Sequence, residues 1–198
     1  MITVYYIFLL FLGEPLSKNN VIDIIPSLSR AWYVSFEINP FATVNGWTSV
    51  VHFTTGTNID VHGSRIPAVF LNARSTSLHI CSSIDGNKNK CFDSDPLPMN
   101  RFTRVEISQA QSSPTSVNSL SFSIKMDGVQ VFQQQNTDTR YFENVKVYKA
   151  DMWYNPARAL IKNLVYRNLP SGKFGKLFFH FSSHNAIGTA SRFPDNIV

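Results

Sequence analysis

The chain has 198 residues, 43% of them hydrophobic and 13% aromatic, with only 16% charged and a formal net charge of +5. So large an apolar share with so few charges excludes a disordered chain, and the length suits one large domain, because all-β sandwiches reach this size without splitting. The lysines and arginines are scattered rather than run together, which argues against a nucleic-acid partner.

Met1 to Gly13 form an uninterrupted apolar run, about as long as the hydrophobic region of a signal peptide and too short to cross a bilayer. No Lys or Arg precedes it and no small-x-small cleavage site follows, so a buried first strand is the competing reading. The expected division is a signal peptide over 1–20, a sandwich domain over 21–168 and a C-terminal extension over 169–198. No other segment is long and apolar enough for a membrane span.

From about residue 31 to residue 167, short stretches alternate apolar and polar residues between Gly, Pro, Asn and Asp, the pattern of many short strands. Trp32, Val34, Phe36 and Ile38 share one face of the first. Further strands are expected over 47–54, 68–71, 78–84, 102–108 and 120–126, then 129–132, 141–148 and 160–166. Asp127-Gly128 predicts a two-residue hairpin between 120–126 and 129–132. No amphipathic helix lies between these stretches, so the fold class is all-β, a two-sheet antiparallel sandwich. Gln109 to Ser119 reads as an exposed loop. After Asn168, a basic stretch with Gly172 and Gly175 leads into an apolar cluster, Leu177 to Phe181, which either adds an edge strand or hangs as a tail.

Cys81 and Cys91 flank Asp85-Gly86-Asn87, residues that suit positive φ and reverse the chain. The flanking segments then pair antiparallel and bring the thiols within bridging reach, so a disulfide is expected in an exported protein. Free thiols in a cytosolic protein are the alternative. A metal site lacks two further ligands at conventional spacing.

Several phrases, taken in succession, resemble the concanavalin A-like superfamily and, within it, laminin-G-like modules and the farnesoic acid O-methyltransferase-like domain type. They are Phe36-Glu37-Ile38-Asn39-Pro40, Gly46-Trp47-Thr48-Ser49-Val50-Val51-His52-Phe53-Thr54, Gly63-Ser64-Arg65-Ile66-Pro67-Ala68, Leu78-His79-Ile80-Cys81, Lys125-Met126-Asp127-Gly128 and Asn144-Val145-Lys146-Val147-Tyr148. The resemblance spans roughly residues 28 to 166. It implies a jelly-roll sandwich with a flat back sheet, a concave front sheet, and rim loops that in relatives hold calcium, glycans or protein ligands. Despite the methyltransferase name, that family carries no methyl-transfer motif, and no Gly-rich nucleotide loop occurs here.

Glycosidases of this superfamily place paired carboxylates on one strand. Here Glu37, Glu106 and Glu143 stand alone, and Asp93 and Asp95 share a Pro-rich stretch. No nucleophile elbow is present. Calcium needs several oxygens on loops, and Asn58 and Asp60 are the candidate ligands. Asp85, Asn87 and Asn89 read as a plain turn, and the five histidines as ordinary. Trp153 and Tyr154, in a turn, suit stacking against a sugar but equally suit packing on the sandwich. Arg65 suits either a clamp on a neighbouring loop or an anionic ligand. The expectation is a secreted, non-catalytic module that binds a carbohydrate or an extracellular protein through rim loops, with calcium as the one cofactor admitted. A structural or assembly domain is the alternative, and a degenerate hydrolase the third reading.

Overall fold

The computed structural model describes residues 12–59, 61–111 and 119–169. Its strands in chain order are β1 (Glu14–Pro15), β2 (Val21–Leu28), β3 (Trp32–Pro40), β4 (Thr48–Thr54), β5 (Ala68–Leu71), β6 (Ser77–Ile84) and β7 (Asn87–Pro96). They continue as β8 (Thr103–Gln111), β9 (Leu120–Met126), β10 (Val129–Asn136), β11 (Phe142–Lys149), β12 (Asn155–Pro156) and β13 (Ala159–Asn168). The first sheet runs β1-β13-β3-β8-β9-β10 and the second β2-β11-β4-β5-β6-β7. Neighbours in each sheet pair antiparallel; only β12 joins its neighbour, β4, in parallel.

The alternation on β3 works as a strand should, since Trp32, Val34, Phe36 and Ile38 all reach the core. Val105, Ile107 and Ile161 join them from the same sheet. Facing them from the second sheet are Val51, Phe53, Val69, Leu71, Leu78, Ile80, Val145 and Val147. Turn chemistry sets the registers. Asp127 and Gly128 (φ 48° and 82°) join β9 to β10, and Asp85 and Gly86 (φ 52° and 75°) join β6 to β7. Two successive positive φ values are what a two-residue hairpin with matched twist requires.

Three departures from the sequence reading have physical reasons. β2 carries Pro26, which removes a ladder donor; the strand lies at a sheet edge, where Ile25 and Ser27 pair with β11 and the proline is tolerated. β10 runs on past the expected 129–132 to Asn136 through Gln133, Gln134 and Gln135, whose polar side chains hide this continuation from a search for apolar alternation. The sandwich also begins before the expected boundary at residue 21. Glu14 and Pro15 pair with Ile161 and Leu160, Glu14 forms an ion pair with Lys149, and Leu16 enters the core.

At the other end, the Leu169 N–H donates to the carbonyl of Ala31 (2.9 Å). Residues 1–11 of the apolar run, 112–118 of the expected loop and 170–198 of the extension lie outside the described residues. No helix of the described residues is long and apolar enough to cross a membrane.

Candidate functional site

A strand with one solvated face should alternate in burial, yet β4 is buried at every position and β5 likewise. Something therefore covers the second sheet on the side away from the core. The cover is a set of rings and loops. Phe70 of β5 points outward and is 1% exposed. Around it stand Tyr154 (ring centroids 5.0 Å apart), His52 (5.8 Å), Trp47 (6.4 Å) and His79 (6.5 Å). The Arg65 guanidinium lies over the Phe70 ring at 5.1 Å. Trp153 extends the cluster, 5.3 Å from His52 and 6.2 Å from Tyr148. Edge-on contacts of this kind contribute beyond the area they bury.

The loops are held by a buried polar network. Asp151 accepts the backbone N–H groups of Trp153 and Tyr154 on Oδ1 (2.9 Å each), a local turn that aims both rings at the sheet. Its Oδ2 meets His52 Nδ1 at 2.8 Å, and its own N–H donates to Ser49 Oγ. His52 Nε2 meets the Ser64 carbonyl at 2.7 Å. His52 is thereby held between two acceptors, a carboxylate and a carbonyl. Burial by itself would push the Asp151 carboxyl up. The His52 and Tyr154 hydrogen bonds and the His52 charge outweigh it and hold the group below the usual carboxylate range.

Ser64 leads directly into Arg65. Gly63 permits the approach: it sits at φ 91°, and a Cβ there would stand 2.8 Å from Thr55 Oγ1. Arg65 then spans two elements, donating from Nε to Asn58 Oδ1 (2.9 Å) and from Nη1 to Asn89 Oδ1 (2.8 Å).

Beside Arg65, β6 and β7 present a square of cross-strand neighbours, Cys81 opposite Cys91 and His79 opposite Asp93. The two sulfurs are joined, with Cα atoms 4.1 Å apart. His79, Cys81 and Cys91 bring their ligand atoms within 4.8 Å of one another, but the disulfide takes both sulfurs out of any metal ligand set. Asp93 accepts from Asn72 Nδ2 (2.9 Å) and meets His79 Nδ1 (2.8 Å). Partial burial would raise its carboxyl, and these two partners hold it low instead. Trp47 stands edge-on over His79 at 4.4 Å and is 41% exposed.

Arg65 and the distant Trp153-Tyr154 pair thus converge around Phe70 and His52, and Arg65 hydrogen-bonds Asn58 and Asn89 of neighbouring segments. Of the two expected calcium ligands, Asn58 lies among the described residues. Asn58 gives its side-chain oxygen to a guanidinium, whose positive charge would repel a cation at that place. Asp60 lies outside the described residues, as do His180 and His184.

Nothing in the sequence assigns Trp47, Phe70, His79, Asn72 and Asp93 to one face. The one local signal was Asn45-Gly46 before Trp47, which ends a loop on an aromatic at a strand's mouth. The face offers exposed and half-buried rings, Trp47 and Tyr154, next to a guanidinium, amides and a carboxylate, a set that can stack on an apolar surface and hydrogen-bond hydroxyls.

No protein-family model matches the chain, and no curated protein matches its sequence. Solved structures do. The chain is similar to the native heptameric SAP-like pentraxin from Limulus polyphemus at 10% identity and a TM-score of 0.50, over 78% of this chain and 73% of that one. It is also similar to carbohydrate-binding module CBM66 from Bacillus subtilis (9% identity, TM-score 0.41, 77% and 99% covered). A third is sheep galectin-11 in complex with glycerol (10% identity, TM-score 0.40, 76% and 99% covered). At 10% identity the likeness to the pentraxin speaks for the fold alone, and together with the two antiparallel sheets it makes the chain a jelly-roll sandwich.

Proposed function

We propose that this chain is a non-catalytic extracellular module that binds a carbohydrate on the outer face of its second sheet. The observation that carries the reading is the convergence of Trp47, Tyr154 and Arg65 on Phe70, beside His79, Asn72 and Asp93. Trp47 and Tyr154 supply the stacking surface, and Asp93 and Arg65 supply the polar contacts that fix orientation.

Binding rather than catalysis is supported by the state of the two carboxylates on this face. Asp151 is fully buried and committed to His52, Trp153 and Tyr154, while Asp93 is held ionised by Asn72 and His79, so neither is set up as a general acid. Export is supported by the apolar run at residues 1–13 and by the cysteine pair. Within the concanavalin A-like superfamily, we assign the chain to the laminin-G-like and farnesoic acid O-methyltransferase-like type on its phrases from Phe36 to Tyr148.

The test is a glycan array probed with the oxidised protein, with calcium and with chelator, alongside Trp47→Ala. Binding indifferent to chelator and lost in Trp47→Ala is the expected result. No binding under either condition would move the reading to a structural or assembly domain.

A further inference from the structure

Two features lie on the open flank of the sandwich, which meets the aromatic face at Asp93. The first is β10, the outermost strand of its sheet among the described residues, eight residues long and free of charge and proline. The other outer strands are guarded: β2 by Asp23 and Pro26, β7 by Lys88, Lys90 and Asp95, and β1 by being two residues long. Charge, proline and brevity are the devices that stop a sheet edge from taking on another strand. β10 has none of these three; its one irregularity is a register shift at Val131, between Gln130 and Phe132, and Val129 and Val131 stand 66% and 40% exposed along it.

The second is a groove of about 480 Å³ between β7 and the β8–β10 side, reached by Val131. Phe92, Leu97 and Met126 line it with apolar surface, Asp93, Asp95 and Asp127 add carboxylates, and Arg101 adds one guanidinium. Thr103 also lines it; the residue is 3% exposed and its hydroxyl has no hydrogen-bond partner. A buried hydroxyl is rarely left unpaired, because the loss of water costs free energy that only a partner returns. Asp127 is already paired, with Arg101 at 2.5 Å and with the Arg104 N–H. Asp95 forms no ion pair among the described residues, since the Arg101 guanidinium in the same lining is paired with Asp127.

We propose that this flank binds an extended peptide that adds a strand to β10 and lays a lysine side chain in the groove. The lysine stem covers Phe92, Leu97 and Met126, and its ammonium donates to Thr103 Oγ1 and faces Asp95. Lysine fits because it joins an alkyl stem to a head that is cationic, donates three hydrogens and accepts none. Main-chain bonds to the bare edge supply affinity, and the groove selects the residue. The volume lies within the range of ligand pockets, and Asp95, without an ion pair among the described residues, is a local acidic point on a chain of net charge +5.

The probe is a fluorescein-labelled hexapeptide alternating Val and Lys, titrated into the oxidised chain and read by fluorescence anisotropy. A Val/Glu counterpart and a Val/Lys peptide interrupted by proline serve as comparisons. The expected result is saturable one-to-one binding of the Val/Lys peptide alone. Thr103→Val, which keeps the shape and removes the acceptor, weakens it roughly tenfold, the worth of a hydrogen bond to a charged group. Val131→Lys, which guards the edge, and Asp95→Asn weaken it as well. Circular dichroism checks that each variant is folded. Equal binding of the Glu or proline peptide, or unchanged affinity in both Thr103→Val and Val131→Lys, would overturn the proposal, as would the absence of saturable binding.

Discussion

His52 Nδ1 and Asp151 Oδ2 stand 2.8 Å apart with both residues wholly buried, and this pair joins the loop that carries Trp153 and Tyr154 to the centre of the second sheet. The other ring nitrogen, on Ser64, reaches the segment that delivers Arg65. Removing the histidine would strand a carboxylate in the interior. His52→Leu is therefore expected to cost about 3–5 kcal/mol, measured by urea denaturation, and to weaken ligand binding because both loops lose their tie. A cost near zero would show that the network does not hold the face together.

Acid should destabilise the fold by the same logic. Besides Asp151 and Asp93, Glu106 is held below the usual range by the Tyr33 hydroxyl and Arg104, and Asp85 by the Thr137 backbone N–H and hydroxyl. A carboxyl depressed in the folded state contributes its full stability above its unfolded value and loses it as pH falls through the folded one. Denaturation midpoints are thus expected to be flat above pH about 5 and to fall below about 4. Asp151→Asn should start lower and show a shallower acid limb; an acid limb as steep as that of the parent chain would count against Asp151 as a contributor.

The Cys81–Cys91 bond closes a loop with a sequence separation of 10. Replacing both cysteines with serine is expected to cost about 2–3 kcal/mol through the freedom restored to the unfolded chain. Equilibrium denaturation of the double variant, compared with the oxidised parent, measures it.

Phe70 and Trp47 should separate stability from binding. Phe70→Ala opens a cavity under the aromatic cover and is expected to cost about 3–5 kcal/mol. Trp47→Ala, at an exposed ring, is expected to stay within about 1 kcal/mol in stability while abolishing glycan binding. Thermal denaturation and a binding assay on the same two proteins decide; retained binding in Trp47→Ala would remove this ring from the site.

Arg65→Lys keeps the charge and loses the fork. An ammonium cannot reach Asn58 and Asn89 together in the geometry that Nε and Nη1 hold, so a loss of roughly 1–2 kcal/mol is expected. If stability is unchanged, the clamp is not what orders the loop from Asn58 to Arg65.

The sequence by itself determined the sandwich class, the positions of most strands and the two Asp-Gly hairpins. These are local matters: a period of two, the need of a turn for positive φ, and the inward set Trp32, Val34, Phe36 and Ile38 can all be read from neighbours in the chain. The cysteine pair was legible for the same reason, since one hairpin brings it together. Pro26 hid β2 and the glutamines hid the second half of β10, because edge position, which tolerates both, depends on the order of strands in the sheet.

Tertiary structure alone decided the site. The order β11-β4-β5-β6-β7 sets residues from five separate segments on one outer face, and no periodicity along the chain reports that Phe70 lies between Arg65, Trp47 and Tyr154. Asn58 shows why: its oxygen suits a cation by type, but the guanidinium that occupies it arrives only once Gly63 and Ser64 have folded back on β4. A side chain's chemistry is local, whereas its partner is set by contacts between distant residues, and those exist only in the folded chain.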